Sequence, residues 1–416
     1  MRSLIALVCL VPSVLSAQWA ITNAGSGARK DDIFFIGSDT GWVAGGAEGV
    51  ILRTYNAGDS WQPVHFGPNY LRSIEFATPQ TGFCGTLDNV FLRSTDGGSS
   101  WTDIASQIPS PSSVCGLCAP SADRIYGAGV WYSPAYVVRS ADGGQTWSKT
   151  DLSDVASAMV DVYFLNEQTG FASGKAQPDS LGGIILRTDD GGDTWNTVHL
   201  TGQADDYIWK LQSPDGIHIF GSIDATFGVG GTRFVYSGDA GESWSTRMAT
   251  SDYHYIQAIG FLDPLTGWMG GNQTLLKTTD GGDTWFLDNT LPGSCYDRFH
   301  RVGPGEAFLC GCGVYRYADP SVGTSAPLPI PQRDGLSVTP NPARDEVRIR
   351  LVSVGRSQAI VTLHASDGRI INRIHKGTVP SGETVFPLAV SYLEPGNYFV
   401  TVRTDQGQSV APFVKE

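Results

Sequence analysis

Apolar and polar positions alternate in short runs through the first three quarters of the chain, broken by Gly, Asp, Ser and Thr. Runs of that length with a period of two predict strands, and their close spacing predicts antiparallel hairpins. Innermost strands are expected at 32–36, 74–76, 160–164 and 256–261, each followed by a short turn ending in Thr-Gly. A second strand then opens Gly41-Trp42, Gly82-Phe83, Gly170-Phe171 or Gly267-Trp268. A third (51–54, 91–94, 184–188) runs into a fixed turn, TDDGGDTW at 188–195, whose pattern recurs at 54–61, 94–101, 140–147, 237–244 and 278–285. The acidic position (Asp96, Asp142, Asp190, Asp239, Asp280, with Asn56 in the first copy) and the flanking Ser/Thr suit bonds to the turn's own amides. The fixed glycine suits a positive φ. The closing tryptophan (Trp61, Trp101, Trp147, Trp195, Trp244, Trp285) is expected to start a fourth strand and bury its ring.

This octet resembles the Asp-box, or bacterial neuraminidase repeat. The resemblance implies a structural hairpin at the periphery of a propeller blade, so these carboxylates are read as structural. The tryptophans lie 40 to 49 residues apart, the period of a four-stranded blade. Blades 3 and 5 are looser but keep the box. After the sixth box, 295–302 and 307–315 supply three more strands without a fourth, and Gln18-Trp19-Ala20 resembles Ser60-Trp61-Gln62. A ring closed by strands from both ends has no open edge. The expected fold is therefore all-β: a seven-bladed propeller over 18–318, with Trp19 as the seventh tryptophan.

A chain of 416 residues exceeds one ordinary core unless it is a repeat array or barrel. Its net charge of −13 argues against a nucleic-acid partner. Residues 1–17 read as a signal peptide, with Arg2 before an apolar run at 4–15 too short to span a bilayer. No other segment reads as a membrane span, so the mature chain is expected outside the cytoplasm. Removal of the leader leaves Cys84, Cys115, Cys118, Cys295, Cys310 and Cys312. A bridge from Cys295 to Cys310 or Cys312 is expected first, reduced buried thiols second and a zinc site last, because the CxxC and CxC pairs fall in non-adjacent blades. No metal or cofactor is expected.

A linker with four prolines (319–333) precedes a second domain at 334–416. There SVTPNPARDEVRIRL (337–351), HASDGRI (364–370) and LEPGNYFVTVRTDQG (393–407) resemble, in order, the type A C-terminal sorting domain of the type IX secretion system. That resemblance implies a small β-sandwich handled by the type IX machinery, release or anchoring at the cell surface, and an origin among the Bacteroidetes or their relatives. Residues 18–318 resemble the photosystem II assembly and stability factor-like propellers, which implies seven blades and a non-enzymatic role in holding polypeptides.

The box turns are expected on one face and long variable loops on the other: 105–113, 150–158, 175–183, 199–206, 224–232 and 289–294. Near the second face Tyr70, Tyr207, Tyr255 and Tyr296 recur where a loop enters the innermost strand. Arg72, Trp209, Gln257 and Arg298 follow two residues on, with Lys210 and His300 nearby. They read as an aromatic and basic rim for a protein or glycan, set against a packing tyrosine copied with the repeat. A sialidase would need a three-arginine clamp, yet Arg53, Arg93, Arg139 and Arg187 precede boxes and belong to blade structure. A glycanase would need carboxyls about 5–9.5 Å apart. Asp32 and Asp161 share the inner-strand position, but the channel is expected to keep them apart. The sequence thus favours an exported, non-catalytic binding propeller, with a sialidase- or xyloglucanase-type hydrolase as the alternative.

Overall fold

The computed structural model describes residues 18–25, 28–225, 230–291, 293–303, 305–319, 336–340, 343–353, 356–365, 370–393, 395–404 and 407–415. The expected signal peptide at 1–17, and all of the expected linker but residue 319, lie outside the described residues. The chain forms two compact units that divide between residues 324 and 325. In the first, each repeat makes one four-stranded antiparallel sheet, and seven such sheets are present among the described residues. Blades 1 to 6 span 32–66, 71–103, 116–151, 156–200, 206–250 and 256–287. Blade 7 takes three strands from 296–318 and its outermost strand, Gln18–Ile21, from the other end of the chain. Trp19 pairs opposite Tyr317 there, so both ends of the propeller sequence share one sheet.

The innermost strands of blades 1 and 6 are Asp32–Ile36 and Ile256–Phe261, as the alternation predicts. Those of blades 2 and 4 start earlier, at Leu71 and Ala156. Register shifts at Leu71/Ser73, Ala156/Ala158 and Met159/Asp161 explain the difference, because a bulge breaks the two-residue period that a sequence reading relies on.

Each box closes on itself. In 188–195 the Gly192 amide donates to Thr188 Oγ1 (2.8 Å) and the Thr194 amide to Asp190 Oδ1 (2.9 Å). The Thr194 and Thr188 hydroxyls donate to the same carboxylate (2.6 and 2.8 Å). Such donors hold Asp96, Asp190, Asp239 and Asp280 at about 2. In the first copy the Asn56 carbonyl accepts from the Ser60 amide (2.9 Å) and the Thr54 hydroxyl (3.0 Å), so the turn needs acceptors rather than charge. The fixed glycines, Gly58 through Gly282, have φ between 80° and 90°.

The box tryptophans lie just ahead of the outermost strands and are half-buried, less enclosed than expected. They are edges of an aromatic stack. Trp61, Trp101, Trp195 and Trp285 stand edge-on to Phe35, Phe76, Phe164 and Phe261, with centroids 5.9–6.1 Å apart. Each of those phenylalanines lies flat on a ring of the preceding blade: Phe308, Trp42, Tyr126 and Phe220, at 3.5–3.8 Å. Trp19 takes the same edge-on place against Phe299 at 6.3 Å. Blades 3 and 5 lack the phenylalanine, and Trp147 and Trp244 lean directly on Phe83 and Phe171 of the blade before.

The arginine before each of the first four boxes reaches into the next blade's box turn. Arg93 donates to the Gly143 and Gly144 carbonyls, and Arg139 to that of Gly191. Arg187 donates to the Gly241 carbonyl and pairs with Glu242, while Arg53 reaches Ser99 Oγ. These arginines are structural, as their repeat position implied.

Cys295 is bonded to Cys312, with Cα atoms 5.1 Å apart. Cys84, Cys115, Cys118 and Cys310 are free thiols, and among the described residues no cluster of His, Cys, Asp and Glu is arranged to hold a metal. The second unit packs a three-stranded sheet (Ser337–Thr339, Glu346–Ser353, Gly382–Ala389) and a four-stranded one around Val347, Ile349, Leu351, Val361, Leu363 and Val400. Exposed Glu346, Arg348 and Arg350 alternate with those buried positions.

Two substitutions test this frame. Gly241→Ala would place a Cβ 2.1 Å from the Phe171 ring at a φ of 82°. A cost of about 2–4 kcal/mol in chemical denaturation is expected. Trp19→Ala, at the ring closure, is expected to cost about 3–5 kcal/mol. A melting temperature equal to the parent's for either variant would contradict the packing described.

Candidate functional site

The face opposite the boxes carries the loops that enter the innermost strands, and these bring charged side chains into the channel in two tiers. In the upper tier Arg29, just ahead of blade 1, is the hub. Its Nε lies 3.0 Å from Asp31 Oδ1 and its Nη2 lies 3.1 Å from Asp297 Oδ1. The same Nη2 donates to Gln257 Oε1 at 2.6 Å, and Gln257 Nε2 donates to the Tyr255 hydroxyl at 2.6 Å. Arg72 also pairs with Asp31, donates from Nε to Cys115 Sγ (3.4 Å), and sits over the Trp209 ring at 5.4 Å. Tyr70 lies beside Asp31, and Tyr255 beside Asp224.

The lower tier is closed. Arg298 Nε is 3.1 Å from Asp32 Oδ1, and its Nη1 is 3.4 Å from Asp161 Oδ1. Lys210 Nζ approaches the same Asp161 oxygen at 3.3 Å. Backbone amides of Ile33 and Ile74 satisfy Asp32, and that of Leu211 satisfies Asp161. The expectation that channel width separates Asp32 from Asp161 is corrected here: one long arginine side chain from blade 7 spans the gap and holds both. Yet the two carboxylates are almost wholly buried and face cations of the chain itself. Arg29, Arg72 and Arg298 likewise converge, but on the protein's own aspartates rather than around an empty carboxylate seat.

Of the rim residues expected from sequence, Tyr70, Arg72, Trp209 and Tyr255 meet at the mouth. Tyr207 lies farther out, its hydroxyl donating to the Trp131 carbonyl (3.2 Å) and its ring facing Lys175 Nζ at 5.1 Å. Lys210 and Arg298 belong to the lower tier. His300 bonds the Phe35 backbone and is pushed down to about 4 by burial and by Arg298, so it stays neutral. Tyr296 is packed against Gly270 and Tyr315, with its hydroxyl donating to the Leu291 carbonyl (3.3 Å), and does not reach the mouth. Sequence reasoning missed Arg29, Asp31, Asp224 and Asp297. Asp31 and Asp297 occupy the positions directly before Asp32 and Arg298, where attention to the neighbours of the repeated residues would have found them.

Together these features define a seven-bladed propeller whose channel is crossed by ion pairs, joined to a β-sandwich. Residues 337–416 match the family described as the secretion system C-terminal sorting domain. The chain is similar to the photosystem II assembly lipoprotein Ycf48 of Synechococcus sp. (strain CC9902), at 26% identity over 293 residues, covering 67% of this chain and 80% of that protein. Among solved structures it is similar to "YCF48 bound to D1 peptide" (18% identity, 73% of this chain and 96% of that one, TM-score 0.55). It is also similar to the GH74 xyloglucanase from Xanthomonas campestris (13% identity, 81% of this chain and 60% of that one, TM-score 0.53). The structural likenesses establish the propeller fold. The sorting domain implies export through the type IX system to the cell surface or the medium.

The channel also sets a pH dependence. Burial, reinforced by Asp32, raises Glu75 to about 8, and burial raises Asp224 and Asp297 to about 6. The folded chain therefore holds protons that the unfolded chain releases, and stability falls as pH rises through these values. Thermal melts from about pH 6 to about pH 8.5 are expected to show falling stability, with a smaller fall for Glu75→Gln. An equal fall in both proteins would contradict the assignment.

Proposed function

We propose that the propeller is a non-catalytic receptor for a polypeptide segment, bound on the loop-rich face. It would be presented at or beyond the cell surface, after loss of a leader near residue 17 and export through machinery that reads residues 334–416. The observation that carries this reading is the division of labour in the channel. Arg29, Arg72, Arg298 and Lys210 are each engaged by channel aspartates, while aromatic side chains remain at and beyond the mouth. A paired-carboxylate hydrolase needs one protonated and one ionised carboxyl facing substrate, whereas Asp32 and Asp161 are buried against Arg298 and Lys210. The solved relative with a peptide bound supports a polypeptide over a glycan. Its photosynthetic setting does not transfer to a chain with this sorting domain.

Arrays of short peptides and of glycans, each probed with the purified full chain, test the reading. Retention on a subset of peptides with none on glycans is expected. Turnover of xyloglucan or of a sialoside would contradict it and favour the hydrolase.

A further inference from the structure

Four segments of the loop-rich face belong to blades 3, 4 and 5: 129–135, 152–157, 175–182 and 201–206. Hydrogen bonds stitch them into one ledge. Ser133 Oγ donates to the Ser157 carbonyl (3.1 Å), the Gln177 amide to the Val155 carbonyl (2.9 Å), and the Tyr207 hydroxyl to the Trp131 carbonyl. Loops fixed in this way would be expected to turn apolar side chains inward, yet these do not. Trp131 and Tyr132 are 49% and 47% exposed and meet edge to face at 5.4 Å, and Val155 and Leu181 on the joined segments are 39% and 38% exposed. Isolated exposed apolar residues are ordinary, but several on loops bonded to one another, with two of them an aromatic pair, suit an interaction surface.

The charge on the ledge is one-sided. Within the four segments the sequence has four aspartates, Asp154, Asp179, Asp205 and Asp206, and one cation, Lys175. Asp206 is taken by Arg233, and Lys175 is turned inward over Tyr207 with its ammonium 3.2 Å from Asp179 and 3.9 Å from Asp205. Asp154 and Asp179 face solvent beside Val155 and Leu181. From Tyr207 the aromatic strip continues to Trp209, 6.0 Å away, and so to Arg72 at the channel mouth.

We propose that this ledge is the docking surface for an extended basic polypeptide segment whose apolar side chains seat on Trp131, Tyr132 and Leu181. Its arginines or lysines would face Asp154 and Asp179 and lie over the exposed rings. Electron-rich faces beside carboxylates attract cations, most strongly guanidinium groups. An acidic ligand would meet the same aspartates and be repelled. The inference rests on the reading of the propeller as a polypeptide receptor and adds where the segment lies and which charge it carries.

The test uses the full chain and two labelled probe peptides, one alternating Arg and Leu and one alternating Glu and Leu, followed by fluorescence anisotropy. The Arg-Leu peptide is expected to bind the parent, more weakly as salt rises. Trp131→Ala/Tyr132→Ala is expected to weaken it by about tenfold or more, and Asp154→Lys/Asp179→Lys to weaken it similarly while admitting the Glu-Leu peptide. All four side chains are exposed, so unchanged melting temperatures serve as the folding control. Equal affinity for parent and variants, or no binding of the Arg-Leu peptide, overturns the ledge assignment. If affinity is instead lost only in Arg29→Ala, the ledge falls while polypeptide binding at the mouth stands. Binding of glycans and of neither peptide would overturn both.

Discussion

The propeller depends on a repeated aromatic contact at the boundary between blades. A phenylalanine at the end of one innermost strand lies flat on a ring of the preceding blade and is met edge-on by its own box tryptophan. Flat and edge-on contacts of this kind are each worth about 0.5–1.5 kcal/mol beyond the area they bury. They also require glycine beneath: a Cβ at Gly41, Gly82, Gly170 or Gly267 would meet the phenylalanine ring at 2.5–2.6 Å. The Thr-Gly-aromatic opening of the second strand and the box tryptophan are thus two halves of one contact. The arginine before each of the first four boxes adds a polar tie in the same direction around the ring, from one blade into the turn of the next.

Much of this was legible because it is periodic and local. The strands of blades 1 and 6, the self-bonded box turns and the seventh tryptophan supplied by the N-terminal strand all follow from spacing and side-chain chemistry. The boundaries of blades 2 and 4 were not legible, since bulges there interrupt the alternation. The channel was less legible still. Nothing in the sequence says that Arg298 spans from Asp32 to Asp161, because such a contact joins residues from three blades and depends on the reach of one side chain. Tyr296 shows the opposite failure: its repeat position matches Tyr70 and Tyr255, but its side chain fills a boundary instead of facing the mouth.

The same geometry sorts the functional alternatives. The ion pairs at the centre of the ring tie blades 1, 2, 4, 5 and 7 together, which suits the binding role proposed above. At the rim, Trp131 and Tyr132 are exposed on a loop of blade 3, and Tyr207 bonds that loop and leads inward to the buried Trp209. A rigid scaffold with an aromatic, acidic rim suits recognition of an extended chain by side-chain pockets and charge. Export by a sorting domain places the propeller at the cell surface or in the medium, where the bridge between Cys295 and Cys312 is chemically at home.

Amide hydrogen exchange of the full chain, with and without a bound polypeptide, tests the central claim most directly. Recognition at the loop-rich face predicts added protection in 129–135, 152–157 and 175–182, with the box turns unchanged. Protection centred on the box turns around Asp96, Asp190 or Asp280, with the opposite loops unaffected, would contradict it.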